Sequence, residues 1–326
     1  MKVRLMSLLE QRMTLRNLRL IDTIAREGSL LGAAQGMNMT QSAITKALQE
    51  MEATAGVRLF ERTNRGALPT PFGEAMIAHA RVILTQIQHA DQELADLRDG
   101  SGGKVAIGTL LSAAVELLPA AIAQVLQSRP NLTIRIVEGT NDSLMPQLRQ
   151  GSLDLIVGRL PVFRQRDGIR QDPLMADDAR IVVRKGHPLM RRRSLTLAQL
   201  SDCHWILPRQ ETTLRRQIDD AFRAEGLQPP LCAVESVSVL TNRALLMSTD
   251  YLAIWPVRLA ESEARRGLLS LLPVRLPATM GQIGISTRMT GRLSPAAQVV
   301  IAALRDQASA ESLRNAKAAT EANREV

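Results

Sequence analysis

Cysteine is almost missing from this chain. Its 326 residues include only Cys203 and Cys232, at a spacing that matches no disulfide framework. With no secretory leader pattern either, a reducing, cytoplasmic setting is expected, with the two thiols acting as small hydrophobes and not as a redox pair. Long apolar runs are also lacking: none approaches the 18 residues a membrane span needs, so no membrane partner is expected. Histidine is scarce, and His79, His89, His187 and His204 have no metal-ligand partner at useful spacing, so no metal site is expected. Ser112 sits in no nucleophile elbow, and no glycine-rich loop is built to cradle phosphate, so no catalytic residue is expected.

Charge is a weaker guide. The chain carries a net +9, yet its first hundred residues hold 12 Lys and Arg against 11 Asp and Glu. Nearly all the excess therefore lies beyond that stretch, where it fits an anionic small molecule or a solvated surface.

What is present concentrates between Leu18 and Gly73. Leu18, Ile21 and Ile24 form the apolar face of a first helix ended by Gly28. Ser29 caps a second helix whose inner face is Leu30, Ala33 and Ala34, small enough for a close crossing. After a turn at Gly36–Met39, Thr40 caps a third helix from Gln41 to about Ala55, with Ile44, Leu48 and Met51 facing inward. Its outer face carries Gln41, Ser42, Thr45, Lys46 and Gln49, side chains suited to base edges and phosphates in a major groove. A short strand over residues 57–62, a turn at Thr63–Gly66 and a return over Ala67–Pro69 make a wing. Its Arg62 and Arg65 suit phosphate or minor-groove contact.

This ordered set resembles the N-terminal signature of the LysR-type transcriptional regulators. The matching residues are Gly28-Ser29-Leu30, Ala33-Ala34, Thr40 to Thr45, Leu48, Met51-Glu52, Gly56, Leu59 to Arg62 and Pro69 to Gly73. Ser42 stands where a proline is common, and Gly36-Met37-Asn38-Met39 replaces a more usual Leu-containing turn. The likeness continues more loosely to about residue 308. Residues before Met13 lie outside it, so Met13 is a plausible alternative start to Met1. The resemblance implies a sequence-specific regulator that binds double-stranded promoter DNA as a homodimer or homotetramer, contacts RNA polymerase and answers to a small-molecule effector.

A long helix follows, with Thr70 as its cap, Pro71 at its first position and a stop at Asp99–Gly103. Met76, Ala80, Ile83, Ile87, Ala90, Leu94 and Leu97 alternate at spacings of four and three, the heptad seam of a coiled coil. Met76, Ile83, Ile87, Leu94 and Leu97 are the expected dimer contacts. Pairing would set two recognition helices on half-sites about 34 Å, or a multiple, apart.

From Lys104 the texture becomes β-α-β-α-β, which predicts a parallel sheet covered by helices. The domain limits expected are 14–70 for a winged helix-turn-helix, 71–99 for the linker helix and 104–308 for an effector domain. Within the last, one lobe takes 104–160 and 289–308 and the other takes 161–288, leaving 309–326 as a flexible tail. The fold class is thus α/β with an N-terminal winged helix-turn-helix, and the family resemblance implies a two-lobed effector domain like a periplasmic binding protein. Ligands of open sheets sit beyond the carboxyl ends of strands. Thr109, Ser112, Thr140, Asn141, Arg159, Thr212, Thr213 and Trp255 lie there and are the expected effector contacts, with Arg159 clamping an anionic ligand. Two rival readings remain: a DNA-binding protein without effector control, and an enzyme carrying an accessory helix-turn-helix.

Overall fold

Helix α1 (Leu15–Glu27) begins where Thr14 caps it by accepting a hydrogen bond from the Asn17 N–H, and ends at Gly28 in the left-handed conformation. The computed structural model describes residues 12–63, 66–99, 102–161, 168–192, 194–276 and 281–322. They divide into an N-terminal unit and a larger C-terminal unit.

In the N-terminal unit, α2 (Leu30–Gly36) is capped by Ser29 and α3 (Gln41–Ala55) by Thr40, as the spacing predicts. Ile21, Ile24, Ala33, Ile44, Leu48 and Leu59 close one core between the three helices and the wing. The wing is a two-stranded antiparallel hairpin, β1 (Phe60–Thr63) with β2 (Gly66–Pro69). Glu52 ties it to α3: its Oε1 accepts from the backbone N–H groups of Leu59 at 2.7 Å and Phe60 at 3.1 Å. Those donors would otherwise be buried without partners, at a cost of about 1–3 kcal/mol each. Thr70 caps the long helix α4 (Pro71–Asp99), accepting from the Gly73 N–H while donating to the Arg58 carbonyl.

The C-terminal unit holds two five-stranded sheets. The first has β3 (Lys104–Thr109) between β4 (Thr133–Glu138) and β5 (Leu155–Arg159), all parallel. Helices α5 (Leu111–Ala114), α6 (Leu117–Ser128) and α7 (Asn141–Arg149) make the crossovers. Two further strands, β6 (Ile169–Asp177) and β12 (Gly281–Arg288), complete this sheet, with β12 lying between β5 and β6 and antiparallel to both. The second sheet orders β11 (Leu269–Arg275), β7 (Ala179–Arg184), β10 (Leu252–Pro256), β8 (Trp205–Leu207) and β9 (Cys232–Glu235). In it β8, β9 and β10 are parallel, and β7 runs antiparallel to both its neighbours, β10 and β11. Helices α8 (Thr213–Ala224), α9 (Val239–Ser248) and α10 (Val257–Arg265) connect its strands, and α11 (Pro295–Ala322) closes the described chain.

Three expectations are corrected. Both sheets are mixed, not wholly parallel. The lobe boundary also moves, because residues 169–177 and 281–288 belong to the first sheet: two extended segments far apart in sequence pair there along their whole length. Finally, α11 runs on to Ala322 where a flexible tail is expected from residue 309, in keeping with the high helix propensity of its alanine-rich sequence. The first core gathers Val105, Ile107, Leu155 and Val157 from the sheet with Leu117, Val300 and Leu304 from α6 and α11. The second packs Trp205, Leu207 and Ile254 against Ile218 and Phe222 of α8.

Candidate DNA-binding and effector sites

On α3 the side chains of Gln41, Ser42, Lys46 and Gln49 are exposed, Thr45 is half-buried, and Ile44, Leu48 and Met51 face the core. The helix thus presents one continuous polar face, its N-terminus capped and its interior face fixed. Arg62 lies on β1, opposite Ala67; its side chain, like the whole of Arg65, lies outside the described residues.

Helix α4 splits the heptad pattern between two tasks. Ala80 is buried and Met76 packs against the helix-turn-helix core, so this first turn of the seam serves its own unit. Further along, Ile83 is 43% and Leu94 67% exposed, with Ile87 half-buried between them. The side chain of Leu97 lies outside the described residues. An apolar row left in water over several turns is the expected signature of a face that pairs.

Between the two sheets of the C-terminal unit lies a cleft of about 500 Å³. Seven of the eight predicted effector residues line it: Ser112, Thr140, Asn141, Arg159, Thr212, Thr213 and Trp255. Thr109 does not. It is 2% exposed and donates its hydroxyl to the Leu110 carbonyl, because the last residue of β3 turns inward before the chain reaches the cleft.

Three helix starts converge on this space. Helix α7 begins at Asn141, Thr212 Oγ1 accepts from the Arg215 N–H to cap α8, and Ser238 Oγ accepts from the Thr241 N–H to cap α9. Each leaves further first-turn N–H groups pointing outward, with the positive end of the helix dipole behind them. The end of β5 is pinned from both sides: Ser112 Oγ accepts from the Arg159 N–H at 2.9 Å, and Asn141 Nδ2 donates to the Arg159 carbonyl at 3.1 Å. The Arg159 side chain is already engaged within the protein through two of its nitrogens. Its Nε donates to Asp177 Oδ2 at 2.6 Å and its Nη1 to Gln217 Oε1 at 2.9 Å. Burial pushes the Asp177 carboxyl above its ordinary pKa, even though Arg159 pulls it down.

Sequence reasoning overlooked the α9 side of the cleft, formed by Ser236, Val237, Ser238, Leu240 and Asn242. Ser238, three residues ahead of Thr241 and just before an apolar run, carries an N-cap signature that would have flagged it. Asn242, inside a helix, carries no such signal. Neither cysteine adds chemistry here: both pack beside the core of the second sheet, and burial raises the Cys203 thiol, opposite to what a reactive thiolate needs. Among the described residues, no cluster of His, Cys, Asp and Glu could hold a metal ion, and no helix is long and apolar enough to cross a membrane.

Comparison with known proteins agrees with this geometry. Residues 15–74 match the family model for bacterial regulatory helix-turn-helix proteins of the lysR family, and residues 98–309 match the LysR substrate binding domain. Among curated proteins, the HTH-type transcriptional regulator GbpR of Azospirillum brasilense is 36% identical over 91% of this chain and 87% of its own length. The regulator PcaQ of Agrobacterium fabrum is 29% identical over 92% of this chain and 97% of its own. Among solved structures, CbnR superposes with a TM-score of 0.62 at 21% identity, over 91% of this chain and 99% of that one. A full-length OxyR variant from Pseudomonas aeruginosa gives 0.65 at 24% identity, over 91% and 95%. The chain belongs to the LysR family of transcriptional regulators, joining a DNA-binding helix-turn-helix domain to an effector-binding domain.

Proposed function

We propose that the chain is a cytoplasmic, non-enzymatic regulator that grips promoter DNA as a homodimer or homotetramer and changes its grip when a small molecule fills the interlobe cleft. Gln41, Ser42, Thr45, Lys46 and Gln49 read and hold the operator, with Arg62 and Arg65 on the wing alongside. Pairing runs through Ile83, Ile87, Leu94 and Leu97 of α4. RNA polymerase is the downstream partner whose contact with the promoter the change would alter. The single observation carrying the effector assignment is the cleft itself: a cavity of about 500 Å³ at the carboxyl ends of the strands, walled by both sheets and met by three helix starts. A ligand bridging the two sheets favours one lobe arrangement over another, and such a differential affinity is what any effector must supply.

Filling the cleft tests the assignment. Val239 lines it at the start of α9, and Val239→Trp places an indole where the ligand would lie. Thermal melting of the full chain with a panel of neutral sugars and small carboxylates should show at least one stabilising compound, and Val239→Trp should remove that shift. A compound whose shift survives the substitution binds elsewhere, and the cleft loses its role.

A further inference from the structure

We infer that Arg258 is an ionic latch between the two lobes and that the C-terminal part of α11 is the strap it fastens, so that the pair sets how far the cleft stands open. The latch acts on the lobes themselves, whatever the cleft binds.

Helix α11 belongs to the first lobe. Val300, Leu304 and Ala308 lie in that lobe's core, Arg305 Nε donates to Asp172 of β6 at 2.7 Å, and Gln307 Nε2 donates to Gln124 of α6 at 2.7 Å. One turn past Ala308, Glu311 pairs with Arg258 of α10, a helix of the second lobe. Both side chains are largely withdrawn from water, at 17% and 12% exposed. Arg258 Nη1 also lies 3.9 Å from Glu116 Oε2, just ahead of α6, and the other Glu116 oxygen accepts from Arg265 Nη2 at 2.8 Å. Asp177, at the end of β6, feels the same guanidinium: burial raises its pKa, and Arg159 and then Arg258 draw it back. Glu116, Glu311 and Asp177 all come from the first lobe, and Arg258 comes from the second.

Apolar side chains join the same elements. Leu111 on α5 and Val115 just after it pack against the second-lobe cluster that contains Trp255, Leu259 and Ala260. This seam adjoins the cleft. Leu111 and Ser112 line the cleft from one side, Trp255 and Pro256 from the other, and α10 starts at the next residue, Val257. Neither Arg258 nor Glu311 is among the lining residues, so a ligand can fill the cleft without touching the latch. Opening the lobes would draw α10 away from α5 and α11 and part Arg258 from its carboxylates. Charges so far withdrawn from water lose more by separation than exposed ones do, so the pair favours the arrangement in which they meet. A contact made in one lobe arrangement and lost in another biases the equilibrium between them.

The chain supplies its own probe. Trp205 and Trp255 are its two tryptophans, the first 0% exposed within the core of the second lobe, the second 2% exposed on the cleft wall with Leu111 of the first lobe packed on its cluster. Acrylamide quenching of the full chain therefore reads lobe separation with no ligand added. Glu311→Gln and Arg258→Met should each raise the Stern–Volmer constant by about twofold or more, as a population with parted lobes uncovers Trp255. The double variant should match Arg258→Met alone, since Glu311→Gln has then no pair left to break. In Trp255→Phe the increase should vanish, because Trp205 stays enclosed in its own lobe. Should Arg258→Met fail to fold, Glu311→Gln at the surface end of the pair decides the matter by itself. Quenching unchanged in folded Glu311→Gln overturns the latch. So does an increase that persists in Trp255→Phe, which reports general loosening of the second lobe, and so do additive effects in the double variant. None of these results bears on whether the cleft holds an effector, which Val239→Trp tests separately.

Discussion

Arg159 Nε donates to Asp177 Oδ2 at 2.6 Å, joining the carboxyl end of β5 to the point where the chain leaves the first sheet for the second. The two side chains are 9% and 0% exposed. Asp177 is the last residue of β6 and β7 opens at Ala179, so this ion pair lies at a crossing between the lobes as well as on the cleft wall. Since Arg159 Nη1 also reaches Gln217 on α8, one guanidinium touches both lobes and the strand that links them.

Removing one partner of a buried pair strands the other, and Asp177→Ala should cost the effector domain about 3–5 kcal/mol. Asp177→Asn, which keeps the shape, should cost less. The pH dependence has a definite sign. Folding raises the Asp177 pKa above its ordinary 3.8, so the stability this proton brings is complete below 3.8 and is lost as pH rises through the raised folded value. In denaturant melts across that interval, wild type should lose stability relative to Asp177→Asn as pH rises. A relative gain would mean the carboxyl is held below its ordinary value.

Lys46 is exposed on the recognition face, where a cation contributes through phosphate charge. Lys46→Ala should weaken binding to operator and unrelated DNA alike and lower the slope of log affinity against log salt by about 0.9. Gln41→Ala should instead narrow the gap between operator and non-operator DNA, by about 1–3 kcal/mol if it pairs with a base edge. Fluorescence anisotropy over a salt series separates the two behaviours; an unchanged slope for Lys46→Ala takes the phosphate role away.

Ile83 and Leu94 are exposed on α4 and contribute little to the folding of their own unit. Ile83→Lys with Leu94→Lys should therefore leave the melting of the DNA-binding unit nearly intact while lowering the assembly mass in sedimentation equilibrium. If the mass stays that of wild type, the subunits pair through some other surface.

Gly73 sits where α4 starts against the wing. A Cβ there would lie 2.0 Å from the Leu59 carbonyl oxygen, a backbone atom that cannot swing aside. Gly73→Ala should force the helix start away and cost about 1–3 kcal/mol in unfolding of the DNA-binding unit. An unaffected midpoint would show that the helix start can shift freely.

The helix-turn-helix was legible because its signals are local: caps at Ser29 and Thr40 and apolar spacings within single helices settle it before any long-range contact is considered. The cleft was legible in part for a similar reason, since polar residues where a strand gives way to a helix, such as Asn141 and Thr212, mark strand ends. What stayed hidden depends on distance along the chain. Nothing in residues 169–177 announces that they pair with residues 281–288, so sequence alone assigns both segments to the second lobe. Nor does Arg159 in isolation reveal that Asp177, 18 positions later, occupies it. Asn242 looks like an ordinary mid-helix amide until the fold places it among the residues lining the cleft.

The central claim is that occupancy of the cleft alters how the protein lies on DNA. Footprinting of the purified chain across its own upstream region, at fixed salt, with and without the same sugars and carboxylates, tests it most directly. The account predicts an interrupted palindrome whose protected edges move when a cleft-binding compound is added. Edges that stay fixed while the cleft is demonstrably filled would contradict it, leaving a DNA-binding protein whose cleft does not speak to its operator.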